Sequence, residues 1–224
     1  CMKLVLSSFF VYLFFVCSPV FAERFFKEYV VKVSGIKIGK LFWKINIENT
    51  SYSNEIKLKS EGLLSALYRF EGDYYSEGVV DKKKLKPTRY KHSWKTNKTT
   101  KEVDLVFNDE KLISLKQKPI EKEHLRINIF DIRKNKDPLT SFLQIMLGEQ
   151  SSMVVDGRRT YTMTSVIEYN ANKNIIEISN YSNLWADHKR NKFEKLTFEK
   201  KDGIFLPYKI YIYFDGRIFK LEQI

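Results

Sequence analysis

The sequence predicts an all-β to α+β fold: a curved antiparallel sheet, or incomplete β-barrel, of roughly ten strands with one amphipathic helix packed on its concave face. Three observations predict it. Apolar and polar residues alternate with period two along much of the chain, as strands with one face in a core require. The pairs Asp156-Gly157 and Asp215-Gly216 fall between such runs. They read as tight hairpin turns, because glycine tolerates the positive φ these turns need. The segment Asp137–Gly148 changes to a helical period.

The elements follow in chain order. Residues 1–22 read as a signal peptide. Lys3 supplies the positive start, an apolar run follows from Leu4 to Val16, Ser18-Pro19 breaks it, and Val20-Phe21-Ala22 ends in a small residue. Cleavage is expected after Ala22, leaving Glu23 first. The run is shorter than the roughly 20 residues of a membrane span; an uncleaved anchor is the alternative. Phe14-Phe15-Val16 ahead of Cys17 lacks the small residue of lipoprotein processing. Residues 23–224 then form one β-rich domain, the default at this length, in the periplasm.

Trp43, Ile45 and Ile47 share one strand face, with Lys44, Asn46 and Glu48 on the other. The alternation returns at Ile56 and Leu58, at Val103, Leu105 and Phe107, and at Leu125, Ile127 and Ile129. It returns again at Ile176 and Ile178, and at Tyr208, Ile210, Ile212 and Phe214. Gly35 and Gly39 read as a turn or bulge between two strands. Lys82-Lys83-Lys84, Asn108-Asp109 and Lys201-Asp202-Gly203 read as reversals, and Leu63–Tyr68 as a short helical stretch. In the main helix Asp137 caps the first amides and Pro138 suits the first position. Leu139, Phe142, Leu143 and Met146 form its apolar face, and Gly148 ends it.

Both cysteines, Cys1 and Cys17, lie in or before the leader. The exported part therefore has no disulfide, thiolate nucleophile or cysteine metal site, which fits a bacterial periplasm. The formal charge of +12 suits anionic lipid, lipopolysaccharide or cell-wall polymer, and nucleic acid is a poor partner outside the cytoplasm. The basic residues are spread along the chain, however, and a solvated surface is the favoured reading. Chemistry is sparse. His92, His124 and His188 stand far apart without metal-ligand spacing, and each reads as a surface residue. No nucleophile elbow, phosphate loop or dinucleotide fingerprint occurs. Glu71, Asp73 and Glu77 beside Tyr74 and Tyr75 could grip a sugar, and Asp187-His188 follows Trp185. The first group reads more simply as ordinary strand surface, and the second is short of a third partner. No catalytic residue, metal or cofactor is expected.

The order of these features resembles the bacterial exported family called domain of unknown function 3108. The residues that carry the resemblance begin with Tyr29-Val-Val-Lys-Val-Ser-Gly35-Ile-Lys-Ile-Gly39, then Tyr52 leading into Lys59–Leu64, and Glu77-Gly78. They continue through Leu85-Lys-Pro87-Thr-Arg89-Tyr90, Asp137-Pro138-Leu139-Thr140, Val155-Asp156-Gly157-Arg158-Arg159-Thr-Tyr161 and Leu206-Pro207-Tyr208-Lys-Ile210. The chain departs from the pattern near Asn174–Tyr181, where many relatives carry a cysteine and this chain has none. The resemblance implies a β-dominated exported protein, similar in architecture to periplasmic lipoprotein carriers, and brings no activity with it.

The function expected is non-enzymatic: a periplasmic binding or envelope-maintenance protein that holds an apolar or amphipathic, lipid-like ligand under the helix. An interaction module of an envelope complex is the second expectation, and a glycan-active hydrolase a remote third. Gly35, Gly39, Pro87, Asp137, Pro138, Asp156 and Gly157 are the residues expected to matter for folding.

Overall fold

The computed structural model describes residues 22–62, 65, 69–167, 173–185 and 193–224. Residues 1–21, expected to be a leader, most of Leu63–Tyr68 and the pair Asp187-His188 lie outside the described residues. Thirteen strands form one antiparallel sheet. β1 (Ala22–Val33), β2 (Ile36–Glu48), β3 (Ser51–Ser60), β4 (Phe70–Asp81), β5 (Lys84–Thr96), β6 (Thr100–Asn108) and β7 (Lys111–Lys118) run as a meander. A helix, α1 (Pro138–Met146), follows. A second meander holds β8 (Ser151–Val155), β9 (Arg159–Ile167), β10 (Lys173–Asn183), β11 (Phe193–Glu199), β12 (Lys209–Phe214) and β13 (Arg217–Gln223). β13 pairs with β1, so the order is β7 through β1, then β13 through β8. The thirteen strands exceed the roughly ten expected.

The hairpins are tight where positive φ is accepted. Asp215-Gly216 turns β12 into β13 with both φ values positive. Gly39 sits at a register shift where an added Cβ would lie 2.2 Å from the Lys59 carbonyl oxygen, so the expected bulge is present. Pro87 stands opposite Gly78 at another register shift, the kind of place where a strand can spare a donor.

The sheet does not close into a barrel. Its edges, β7 and β8, are bridged by residues 132–136. Leu112 N–H donates to Ile132 O and Lys134 N–H to Glu110 O on the β7 side. Lys136 N–H donates to Met153 O, and Val155 N–H to Lys136 O, on the β8 side. The expected strand through Leu125, Ile127 and Ile129 is corrected here. Leu125 and Ile127 lie exposed in a connection, and Ile129 opens a 3-10 turn, Ile129–Asp131. Alternation without a partner ladder does not make a strand.

α1 lies on the concave face, as expected, but it is not amphipathic towards water. Every residue from Leu139 to Met146 is buried. Phe142 stacks on Trp43 with ring centroids 5.6 Å apart and meets Phe198 edge-on. The polar side chains bond to the sheet. Asp137 accepts from Leu139 N at 2.9 Å, Thr140 N at 3.0 Å and Ser76 Oγ at 2.8 Å. Tyr52 Oη lies 2.7 Å from Thr140 Oγ1. Gln144 accepts from Leu85 N at 2.6 Å, and Ser152 Oγ donates to Ser141 Oγ at 3.0 Å.

Candidate functional site

Core side chains fill the space under α1, so that space is not the ligand site expected from sequence. A cavity of about 820 Å³ lies further along the sheet, against β4 to β7. The strand registers line up Ile56, Tyr74, His92, Val103 and Gln117 as one inward row across β3 to β7. The neighbouring rows, rich in Asp, Glu and Lys, alternate with it, and Asp73, Lys91, Glu102, Asp104, Lys116 and Lys118 from those rows also line the cavity.

The β8–β9 turn braces three of the lining residues, Val103, Gln117 and Trp185. Asp156 Oδ1 accepts from Arg158 N and Arg159 N, each at 2.8 Å, and shapes the turn. Gly157 has φ +92°, and a Cβ there would lie 2.5 Å from Val103 Cγ1. The turn thus rests its backbone directly on the sheet. Gly157 O accepts from Trp185 Nε1 at 3.1 Å and from Gln117 Nε2. Arg158 reaches Glu121 at 3.7 Å across the mouth, where Ile120 is exposed.

His92 corrects the surface reading. Its ring sits between those of Tyr74 (5.5 Å) and Tyr90 (5.7 Å), and Nδ1 lies 3.2 Å from Tyr90 Oη. Burial pushes its pKa below the usual imidazole value; Asp156 pulls it up and Arg158 pushes it further down. The ring is therefore neutral at physiological pH, and a Tyr90 hydroxyl donating to Nδ1 leaves the proton on Nε2. Burial lifts the Tyr74 phenol to about 12. The site thus offers aromatic surface and a neutral imidazole, bordered by charged side chains such as Asp73, Lys91, Glu102 and Lys116.

Other sequence candidates lie elsewhere. His124 is exposed. Glu71 pairs with Arg69 and Glu77 accepts from Tyr75 Oη at 2.8 Å. Asp73 and Tyr75 border the cavity. No group of three or more His, Cys, Asp or Glu is placed to hold a metal among the described residues. Trp185 and Gln117 had not been singled out as site residues, because only the fold brings both onto Gly157 O. The signal for His92 was present in Tyr90-x-His92-x-Trp94, where it shares a face with buried Tyr90.

The family described as "Protein of unknown function (DUF3108)" matches residues 28–173. The chain belongs to this family. In this DUF3108 protein the matched span runs from β1 to the start of β10 and holds the whole cavity lining except Trp185. The residues that carried the resemblance are mostly fold devices: Tyr29 Oη donates to Pro207 O at 2.6 Å, Asp137 caps α1, and Asp156-Gly157 makes the β8–β9 turn. The crystal structure of a β-barrel-like protein of domain of unknown function DUF1849 from Brucella abortus aligns with a TM-score of 0.53. The alignment covers 90% of this chain and 94% of that one at 10% identity, and shows the fold alone. No curated protein matches. No described helix is long and apolar enough to cross a membrane.

Proposed function

We propose that this DUF3108 protein is an exported, non-enzymatic binding protein of the bacterial envelope, freed by cleavage after Ala22, whose cavity holds an apolar or amphipathic ligand such as an acyl chain. One observation carries the reading: a cavity of about 820 Å³ floored by Tyr74, His92 and Val103 and flanked by Trp185. That volume lies within the range of roughly 300–1,000 Å³ typical of small-molecule sites. Cleavage after Ala22 would leave the pairing of β1 with β13, from Tyr29 to Val33, intact.

The test is native mass spectrometry of the protein recovered gently from a bacterial periplasm. The expected result is a bound mass released on denaturation and lost in a Tyr74→Ala, Trp185→Ala double variant. A mass that stays ligand-free after incubation with envelope lipids would sink the small-ligand reading. The second reading, an interaction module, draws on Ile120, Leu125 and Phe130, apolar side chains exposed in the connection after β7. It predicts a protein partner crosslinked through that connection.

A further inference from the structure

The cavity has a second property that an acyl chain cannot use: one wall is the edge of a sheet. β7 ends the strand order on that side. Residues 132–136 take up its edge only as far as Leu112, whose N–H points away from β6 towards Ile132 O. Beyond it the ladder shifts register, and Leu115 and Gln117 stand opposite Leu105 and Val103. Hydrogen-bonded and non-bonded pairs alternate along an antiparallel ladder. Following that alternation from Leu112, the N–H and C=O of Leu115 and Gln117 also turn away from β6. Among the described residues no backbone group bonds to them, and both residues line the cavity.

We propose that the ligand is an extended polypeptide segment that joins the sheet as an added strand on β7. Its apolar side chains enter the cavity beside Tyr74 and Trp185, and its alternate acidic side chains meet the lysines of β7. The proposal rests on the reading that the cavity is a binding site and names the ligand class. Edge pairing satisfies backbone donors and acceptors that a lipid tail would leave bare. An added strand keeps the pleat, so its residues opposite Leu115 and Gln117 point inward and their neighbours point to the convex side. There Lys116 and Lys118, which also border the cavity, flank the edge, with Lys118 3.3 Å from Glu102 on β6, and β7 carries three lysines and no acid. The same charges repel the β7 edge of a second copy and favour an acidic strand.

The experiment is amide hydrogen exchange by NMR on the exported protein, with two probes. One is a synthetic peptide alternating Phe and Glu; the other is a lysophospholipid below its micellar concentration. The expected result is that the peptide slows exchange at Leu115 and Gln117. N-methylation of its β7-facing amides should then weaken binding about tenfold, the worth of one or two hydrogen bonds, while N-methylation of the other amides should change nothing. A Phe–Lys peptide should bind more weakly. Peptide binding that ignores which amides are methylated would overturn the proposal. So would lysophospholipid shifting the Tyr74 and Trp185 signals while the peptide stays silent, a result that keeps the cavity as a ligand site. If neither probe moves Tyr74, His92 or Trp185, both readings fall together.

Discussion

Asp137 shows how much one side chain carries. It is fully buried and satisfies two helix amides and the hydroxyls of Ser76 and Thr140. Burial raises its pKa above the usual carboxylate value, against the pull of those donors. Its contribution to stability is then greatest below its unfolded pKa of about 3.9 and declines as pH rises through the raised folded value. Asp137→Ala should cost about 2 kcal/mol in urea unfolding, through the lost cap and the orphaned hydroxyls. Asp137→Asn should cost less, since an amide oxygen still caps the helix. His92 has the opposite sign. Its folded pKa is lowered, so stability is lost as pH falls from about 6.5 towards the folded value. Thermal unfolding of His92→Phe should lack that loss and should show no extra pH dependence above about 6.5. At Gly157, replacement by Val meets both a φ of +92° and the 2.5 Å approach to Val103. A loss of about 3 kcal/mol is expected in urea unfolding, and an unchanged midpoint would refute the role assigned to the turn. Asp137, Pro138 and Gly157 were legible in the sequence because caps and turns are local chemistry. The face of His92 was legible from Tyr90-x-His92-x-Trp94, but its contact with Tyr74 was not, because that neighbour lies across the ladder.

Elements were legible in proportion to how locally they are specified. The start of α1 lies where Asp137-Pro138 puts it, and Gly148 takes φ +105° beyond its end. Its surroundings were not legible. Thr140, Ser141 and Gln144 look like a solvent face until their partners on β3, β4, β5 and β8 are known. A helix buried on all sides should behave as a core strut rather than a lid. The double substitution Leu139→Ala, Phe142→Ala is therefore expected to cost several kcal/mol, measured by calorimetry. A loss below about 1 kcal/mol would mean that the helix is undocked in solution. The run Leu125–Ile129 misled for the converse reason: its alternation is real, but Arg126 N–H finds Leu184 O, a loop partner, instead of a strand.

At the scale of the whole molecule, the curved sheet and its single described helix were legible, while the route of closure was not. No sequence pattern announces that residues 132–136 bridge two strand edges, because that contact is made by backbone and not by side-chain type. Some of the lysines behind the charge of +12 cover the sheet: Lys195 lies 4.6 Å from the Tyr213 ring, and Lys173 and Lys220 lie over the Tyr211 ring. The pairing of β1 with β13 has a larger consequence. Each meander can zip up from neighbouring hairpins as its residues become free, but the seam between them joins strands from opposite ends of the sequence. Closing it is a late, long-range event with a high entropic toll. Until that seam forms, the molecule is two unfinished shells sharing one plug.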